Sequence, residues 1–184
     1  MTHYLAFYKP DEVLSQFTDT AGRDTLKNYI SVQGVYAAGR LDYHSEGLMV
    51  LSDEGAFIRR LTDPRFSHPK TYLAQVEGLA TEEMIRPLKE RIVLPGLQTR
   101  LAQVEIIPEP PLPPRPRPVR GYHPTNWLKI ILFEGKKHQV RRMTAAVGLP
   151  TLRLMRVAIG ALELGSLKPG QWRELTQTEI RAFN

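Results

Sequence analysis

Gly39-Arg40-Leu41-Asp42-Tyr43-His44-Ser45-Glu46-Gly47 runs directly into the apolar Leu48-Met49-Val50-Leu51, so a polar loop meets a segment of strand length. Arg40 and Asp42 flank Leu41, and an extended backbone would put both charges on one side and Leu41 on the other. Asp53-Glu54-Gly55 follows as a helix start, with Asp53 as its expected N-cap. Polar groups at the join of a rigid strand and an exposed loop are well placed for chemistry. By itself the tetrapeptide reads equally as a surface ion pair beside a turn.

Outward from this stretch, the chain alternates short strands with a few helices. His3 to Lys9 reads as a strand ended by Pro10, and Asp24 is placed to cap a brief helix carrying Leu26 and Ile30. Phe57, Ile58 and Leu61 form an apolar helical face that Pro64 ends near Thr62. Lys70 to Glu77 is a strand with Tyr72, Ala74 and Val76 on one face, and Thr81 caps a helix through Arg91 that Pro87 interrupts. Gln98 to Ile107 and Trp127 to Phe133 alternate as strands. Between them, residues 108–118 hold seven prolines, an extended arm unable to form ladder or helix. This arm could link domains, but the strand pattern on both sides favours a long strand-to-strand connection. Lys137 to Val147 is a helix with Val140, Met143 and Val147 as its buried stripe, leaving Arg141 and Arg142 off it. Leu152 to Ile159 is a strand, Pro169-Gly170 a turn, and Thr176-Gln177-Thr178-Glu179 a capping box opening a last short helix. Without regular strand–helix–strand spacing, the pattern is that of a mixed or antiparallel α+β fold.

The charge is unevenly distributed. The chain of 184 residues has a net charge of +6, yet residues 110–160 carry ten Lys/Arg against the single acid Glu134. The other positions hold 15 basic and 18 acidic residues, so one window is +9 and the remainder −3. A basic half with a slightly acidic remainder is the footprint of a polyanion binder, which points to nucleic acid. There are no cysteines, which excludes disulfides, thiolate chemistry and cysteine zinc sites. The five histidines are scattered without metal-ligand spacing, so no metal site is expected. No apolar run approaches the roughly 18–20 residues of a membrane span, and the amino end lacks a signal-peptide layout.

Five polar or apolar segments now fall in a fixed order. They are Tyr8-Lys9-Pro10, Gly39 to Leu48, Lys70-Thr71-Tyr72, Glu134-Gly135-Lys136-Lys137-His138-Gln139-Val140-Arg141-Arg142-Met143, and Leu154 to Gly160. In order and spacing, across nearly the whole chain, this set resembles the pseudouridine synthases of the branch that modifies ribosomal RNA, the RsuA-like group. It is most similar to members that begin directly at the Lys-Pro segment without a small amino-terminal RNA-binding domain.

The resemblance implies an isomerase that converts particular uridines of ribosomal RNA, expected in the large-subunit RNA, to pseudouridine. The implied fold is an extended, mainly antiparallel mixed sheet with flanking helices. It forms two fused subdomains around a catalytic cleft, at 1–62 and 63–184, with the Pro-rich loop over 108–124. Asp42 matches the family's catalytic carboxylate, acting at C1′ or at C6 of the base. Arg141 matches the arginine that pairs with it and keeps it ionised. Tyr72 matches the aromatic residue that stacks on the target base. Arg40 matches the side chain that enters the RNA stack when the nucleotide is extruded, and Lys70, Lys136, Lys137 and Arg142 would hold phosphates. For Arg115, Arg117 and Arg120, RNA contact and plain solvation stand as equal alternatives. A cytoplasmic monomer with no cofactor and no metal is expected. Two other classes stay open on the sequence: a non-catalytic RNA-binding assembly factor, and an RNA glycosidase or nuclease using Asp42 as base.

Overall fold

The structure, a computed structural model, describes residues 2–115, 118–119 and 122–183. Its elements in chain order are β1 (Tyr4–Lys9), β2 (Tyr36–Ala37), β3 (Glu46–Ser52), α1 (Gly55–Thr62), β4 (Lys70–Glu77), α2 (Glu82–Lys89), β5 (Val93–Leu94), β6 (Leu97–Gln98) and β7 (Ala102–Ile107). Then come β8 (Thr125–Leu132), α3 (Gln139–Ala146), β9 (Thr151–Ile159), β10 (Leu162–Glu163), β11 (Trp172–Glu174) and α4 (Gln177–Arg181). The class is α+β; the pairs β1–β11, β1–β3, β4–β8 and β7–β8 are antiparallel, and four α-helices lie among the described residues.

The chain forms two compact units, Met1–His68 with Arg156–Asn184, and Pro69–Met155. The sequence division after residue 62 leaves residues 156–184 with the second half. They join the first unit because β11 closes onto β1, with Leu5 opposite Glu174 and Phe7 opposite Trp172.

In the first unit β1 lies between β11 and β3, in register from Tyr4↔Ser52 to Lys9↔Gly47. Every residue of β3 is buried, which explains why its apolar run shows no polar alternation. The outer face of β1 is closed at Gly170, whose φ of +83° suits glycine and whose N–H donates to Tyr8 O at 2.9 Å. The helix start differs by one residue from expectation. Glu54 is the N-cap of α1, while Asp53 accepts the His3 backbone N–H at 2.9 Å. Likewise Thr25, not Asp24, precedes a single 3-10 turn (Leu26–Asn28), with the Thr25 N–H donating to Asn28 Oδ1 at 3.0 Å.

In the second unit β8 lies between β4 and β7. Tyr72, Ala74 and Val76 occupy the buried face of β4, as their alternation indicates. Thr81 caps α2, its hydroxyl accepting from Met84 N, and Pro87 lies within that helix. The expected strand from Gln98 to Ile107 is two elements. Pro95-Gly96 turns β5 back on β6, and Thr99 then bonds Ile92 through both its backbone N–H and its Oγ1, each at 2.9 Å. The described residues between 108 and 119 form neither strand nor helix, as their prolines require.

Candidate active site

Asp42 lies in a loop whose backbone is anchored at each step. Ala38 N–H still bonds Val50 O at 2.8 Å, and the chain then leaves β3 at Gly39, where φ is +89°. Leu41 is buried although it belongs to no strand, and both its backbone groups meet one hydroxyl. Its N–H donates to Ser15 Oγ at 3.0 Å, and Ser15 Oγ donates to its carbonyl at 2.6 Å. Tyr43 O accepts the Glu12 N–H at 2.9 Å and Lys9 Nζ at 3.3 Å. Ser45 N–H closes the turn onto Asp42 O at 3.0 Å. Half-buried Asp42 therefore sits between two fixed peptide units, with Arg40 exposed on the same loop.

Lys9 supplies a buried cation to this region. It is fully buried on β1, and its ammonium donates to Pro10 O and Val13 O, both at 2.7 Å, besides Tyr43 O. Three N–H groups thus meet three carbonyls. Burial pulls its pKa down to about 7, against the opposing pull of the Asp11, Glu46 and Asp42 carboxylates. A cation thus stands within electrostatic reach of Asp42 inside its own unit. Exposed His44, two residues past Asp42, has Nδ1 3.6 Å from Asp11 Oδ1 and 4.0 Å from Glu12 Oε1. Among the described residues Asp11, Glu12 and His44 are the one grouping close enough to share a cation, a juxtaposition made by the fold and invisible in sequence spacing. Histidine–carboxylate pairing accounts for it.

The other site residues named from the sequence lie in the second unit. Tyr72 is 9% exposed on β4, opposite Ile130 of β8, and half-buried Lys70 begins the same strand opposite Leu132. Arg141 leaves the buried side of α3, which Val140, Met143 and Thr144 form, and its Nη1 donates to Thr151 O at 3.0 Å. Glu134, the lone acid of the basic window, organises the approach to α3. It is buried and accepts from Arg100 N at 2.8 Å, Gln139 Nε2 at 2.7 Å and Lys136 Nζ at 3.2 Å. Burial raises its pKa, but these donors outweigh burial and hold the carboxyl below its ordinary value. Lys136 also donates to Gln98 O and Arg142 to Pro95 O, so two of the cations assigned to phosphate tie α3 to the β5–β6 hairpin. Lys137 is exposed. In the arm, Pro113 O accepts from Arg153 Nη2 at 2.9 Å, Arg115 is half-buried, and Arg117 and Arg120 lie outside the described residues.

Sequence reasoning missed Ser15 and the hub at Glu134. The signal for Glu134 was present, since one acid among ten cations is a natural internal counter-ion. Ser15 carried none, because its partner lies 26 positions away.

Comparison with known proteins bears on this arrangement. Residues 3–146 match the family model for RNA pseudouridylate synthase. The chain is 51% identical over 174 residues to ribosomal large subunit pseudouridine synthase E of Vibrio vulnificus, covering 94% of this chain and 74% of that protein. It is 52% identical over 178 residues to the protein of the same name from Xanthomonas axonopodis pv. citri, covering 94% of each. A solved structure described as a pseudouridylate synthase superposes with a TM-score of 0.85 at 29% identity, over 100% of this chain and 74% of that one.

Proposed function

The chain belongs to the RNA pseudouridylate synthase family, and from that premise we propose that it isomerises uridine to pseudouridine in large-subunit ribosomal RNA, with Asp42 as the catalytic carboxylate. The observation that carries the assignment of Asp42 is its setting: an acidic side chain on a loop pinned at the peptide units on both sides, with the Lys9 charge nearby. Pre-set geometry of this kind is what a group acting on a reacting atom needs.

The chemistry is a balanced rearrangement. The bond from N1 to C1′ breaks, a bond from C5 to C1′ forms, and the proton on C5 is removed while N1 gains one. Substrate and product have the same composition, so the reaction requires no oxidant, reductant or co-substrate. In this reading Asp42 assists departure of the base, at C1′ or at C6, and must be ionised to do so. Arg141 is assigned to keep it so, and Tyr72 to stack on the uracil while its C5 proton leaves. Arg40, exposed and in no ion pair among the described residues, is suited to enter the RNA stack as the nucleotide is extruded. The +9 window over 110–160 supports RNA as the polyanion. Lys70, Lys136, Lys137 and Arg142 are assigned to the phosphate side, Lys136 and Arg142 also through the hairpin they hold. A cytoplasmic location beside the ribosome completes the reading. Among the described residues no helix is long and apolar enough to cross a membrane.

Mapping pseudouridine across the ribosomal RNA of a strain lacking the gene tests this directly. One or a few large-subunit positions should revert to uridine and be restored by the intact gene but not by an Asp42→Asn copy. An unchanged modification map would overturn the proposal in favour of a non-catalytic RNA-binding protein.

A further inference from the structure

We propose that Ser15 is a positioning residue for this reaction, holding the peptide unit ahead of Asp42 through its single hydroxyl. The inference rests on the assignment of Asp42 above. Leu41 is 7% exposed and lies outside any strand, so its N–H and C=O lack the ladder partners that buried backbone needs. Ser15 Oγ serves both, accepting from the N–H at 3.0 Å and donating to the carbonyl at 2.6 Å. One hydroxyl thus substitutes for the residue that would face Leu41 in an antiparallel pair. The competing acceptor, Met49 Sδ, stands farther away at 3.5 Å, so the hydroxyl proton goes to the carbonyl.

The hydroxyl is itself held. Ser15 is 7% exposed, and the backbone on both sides of it is tied to the turn at 24–26. Leu14 N–H donates to Asp24 O at 2.8 Å, and Gln16 O accepts Leu26 N–H at 2.9 Å. Constraint therefore passes from that turn through Ser15 to Leu41 and so to Asp42, whose following peptide unit is fixed separately by the Ser45 N–H on Asp42 O at 3.0 Å. Without the hydroxyl, two buried backbone groups lose their partners and the loop relaxes toward other ones. The carboxylate then departs from its working position while the phosphate-binding cations, on other elements, stay in place. The loss falls mainly on turnover, with RNA affinity touched only through Arg40 on the same loop.

Threonine and valine nearly share a shape but differ in the hydroxyl, so Ser15→Thr and Ser15→Val separate the hydrogen bonds from packing. The two variants, with Asp42→Asn as control, are compared on the same ribosomal RNA fragment for kcat, for Kd, and for deuterium exchange at the Leu41 amide. Rates are normalised to the folded fraction. Ser15→Val should lower kcat by about 10²-fold, the scale of a misplaced reactive group, with Kd changed far less than kcat and the Leu41 amide deprotected. Ser15→Thr should recover most of the rate and keep the amide protected. Equal rates for the two variants, a loss confined to Kd, or a Leu41 amide still protected in Ser15→Val would each overturn the inference. Turnover by Asp42→Asn would instead sink the assignment of Asp42, so the two failures are told apart.

Discussion

Replacing Lys9 with methionine exposes what a buried ammonium costs this fold. The side chain is fully buried, and burial brings its pKa from 10.5 to about 7. That fall corresponds to roughly 5 kcal/mol of disfavour for the charged form inside the fold. Methionine fills a similar volume without that burden, but it leaves Pro10 O and Val13 O without the ammonium donor. Each orphaned carbonyl costs about 1–3 kcal/mol. Tyr43 O keeps the Glu12 N–H and loses less. The two effects nearly offset, and Lys9→Met should change stability at pH 7 by no more than about 2 kcal/mol. The pH dependence is sharper. Between the folded value near 7 and the unfolded value of 10.5, the unfolded chain binds the proton that the folded chain has released. Stability of the wild type relative to Lys9→Met therefore rises with pH through that window, by about 2 kcal/mol from pH 7 to pH 9, and is flat below it. Urea melts of both proteins at pH 6, 7, 8 and 9 measure the difference. A gap independent of pH would show that Lys9 keeps its proton in the folded protein. It would mean that the three carbonyls and the Asp11, Glu46 and Asp42 carboxylates offset burial completely and keep Lys9 charged.

Two further perturbations read other parts of the fold. Arg173 holds the Glu179 carboxyl down to about 2, through bonds of 2.6 and 2.8 Å, with Thr176 adding to the effect. That stability is present above the unfolded carboxylate range and disappears as pH falls toward 2. Glu179→Gln, which keeps a capping amide, should cost about 1–2 kcal/mol at pH 6 for this partly solvated pair, and only about a few tenths by pH 2, in chemical melts across that range. Glu134→Ala removes the acceptor shared by Arg100 N, Gln139 and Lys136. It should cost about 3 kcal/mol and make the hairpin over residues 92–100 the first site of limited proteolysis; a cleavage pattern like the wild type's would show that the hairpin does not depend on Glu134.

What could be read from the sequence was what neighbouring residues decide among themselves. The face shared by Tyr72, Ala74 and Val76, the stop at Pro64 and the capping box at Thr176 all follow from spacings of two to four residues, and the structure has each of them. Errors arose where a distant group competes. Asp53 gives up the N-cap position because it accepts the N–H of His3, 50 positions away. The alternation from Gln98 to Ile107 is broken because Thr99 turns to Ile92 and the Arg100 N–H to Glu134. The return of residues 172–174 to β1 had no local mark, being only three residues long. In the candidate site the ordered segments gave Asp42, Tyr72 and Arg141 through resemblance. The partners that fix the Asp42 loop, Ser15 and the Glu12 amide, offer only a common side chain and a backbone group, which no pattern distinguishes.

Asp42 is proposed to perform the chemistry without serving as an RNA grip. Pseudouridine formed by purified Asp42→Asn on large-subunit ribosomal RNA, measured beside its affinity for the same RNA, separates the two roles. The expected result is no detectable product with Kd within about two-fold of the wild type, since the cations assigned to the phosphates are other residues. Product formation at a rate near the wild type's, or loss of activity explained wholly by lost binding, would contradict it.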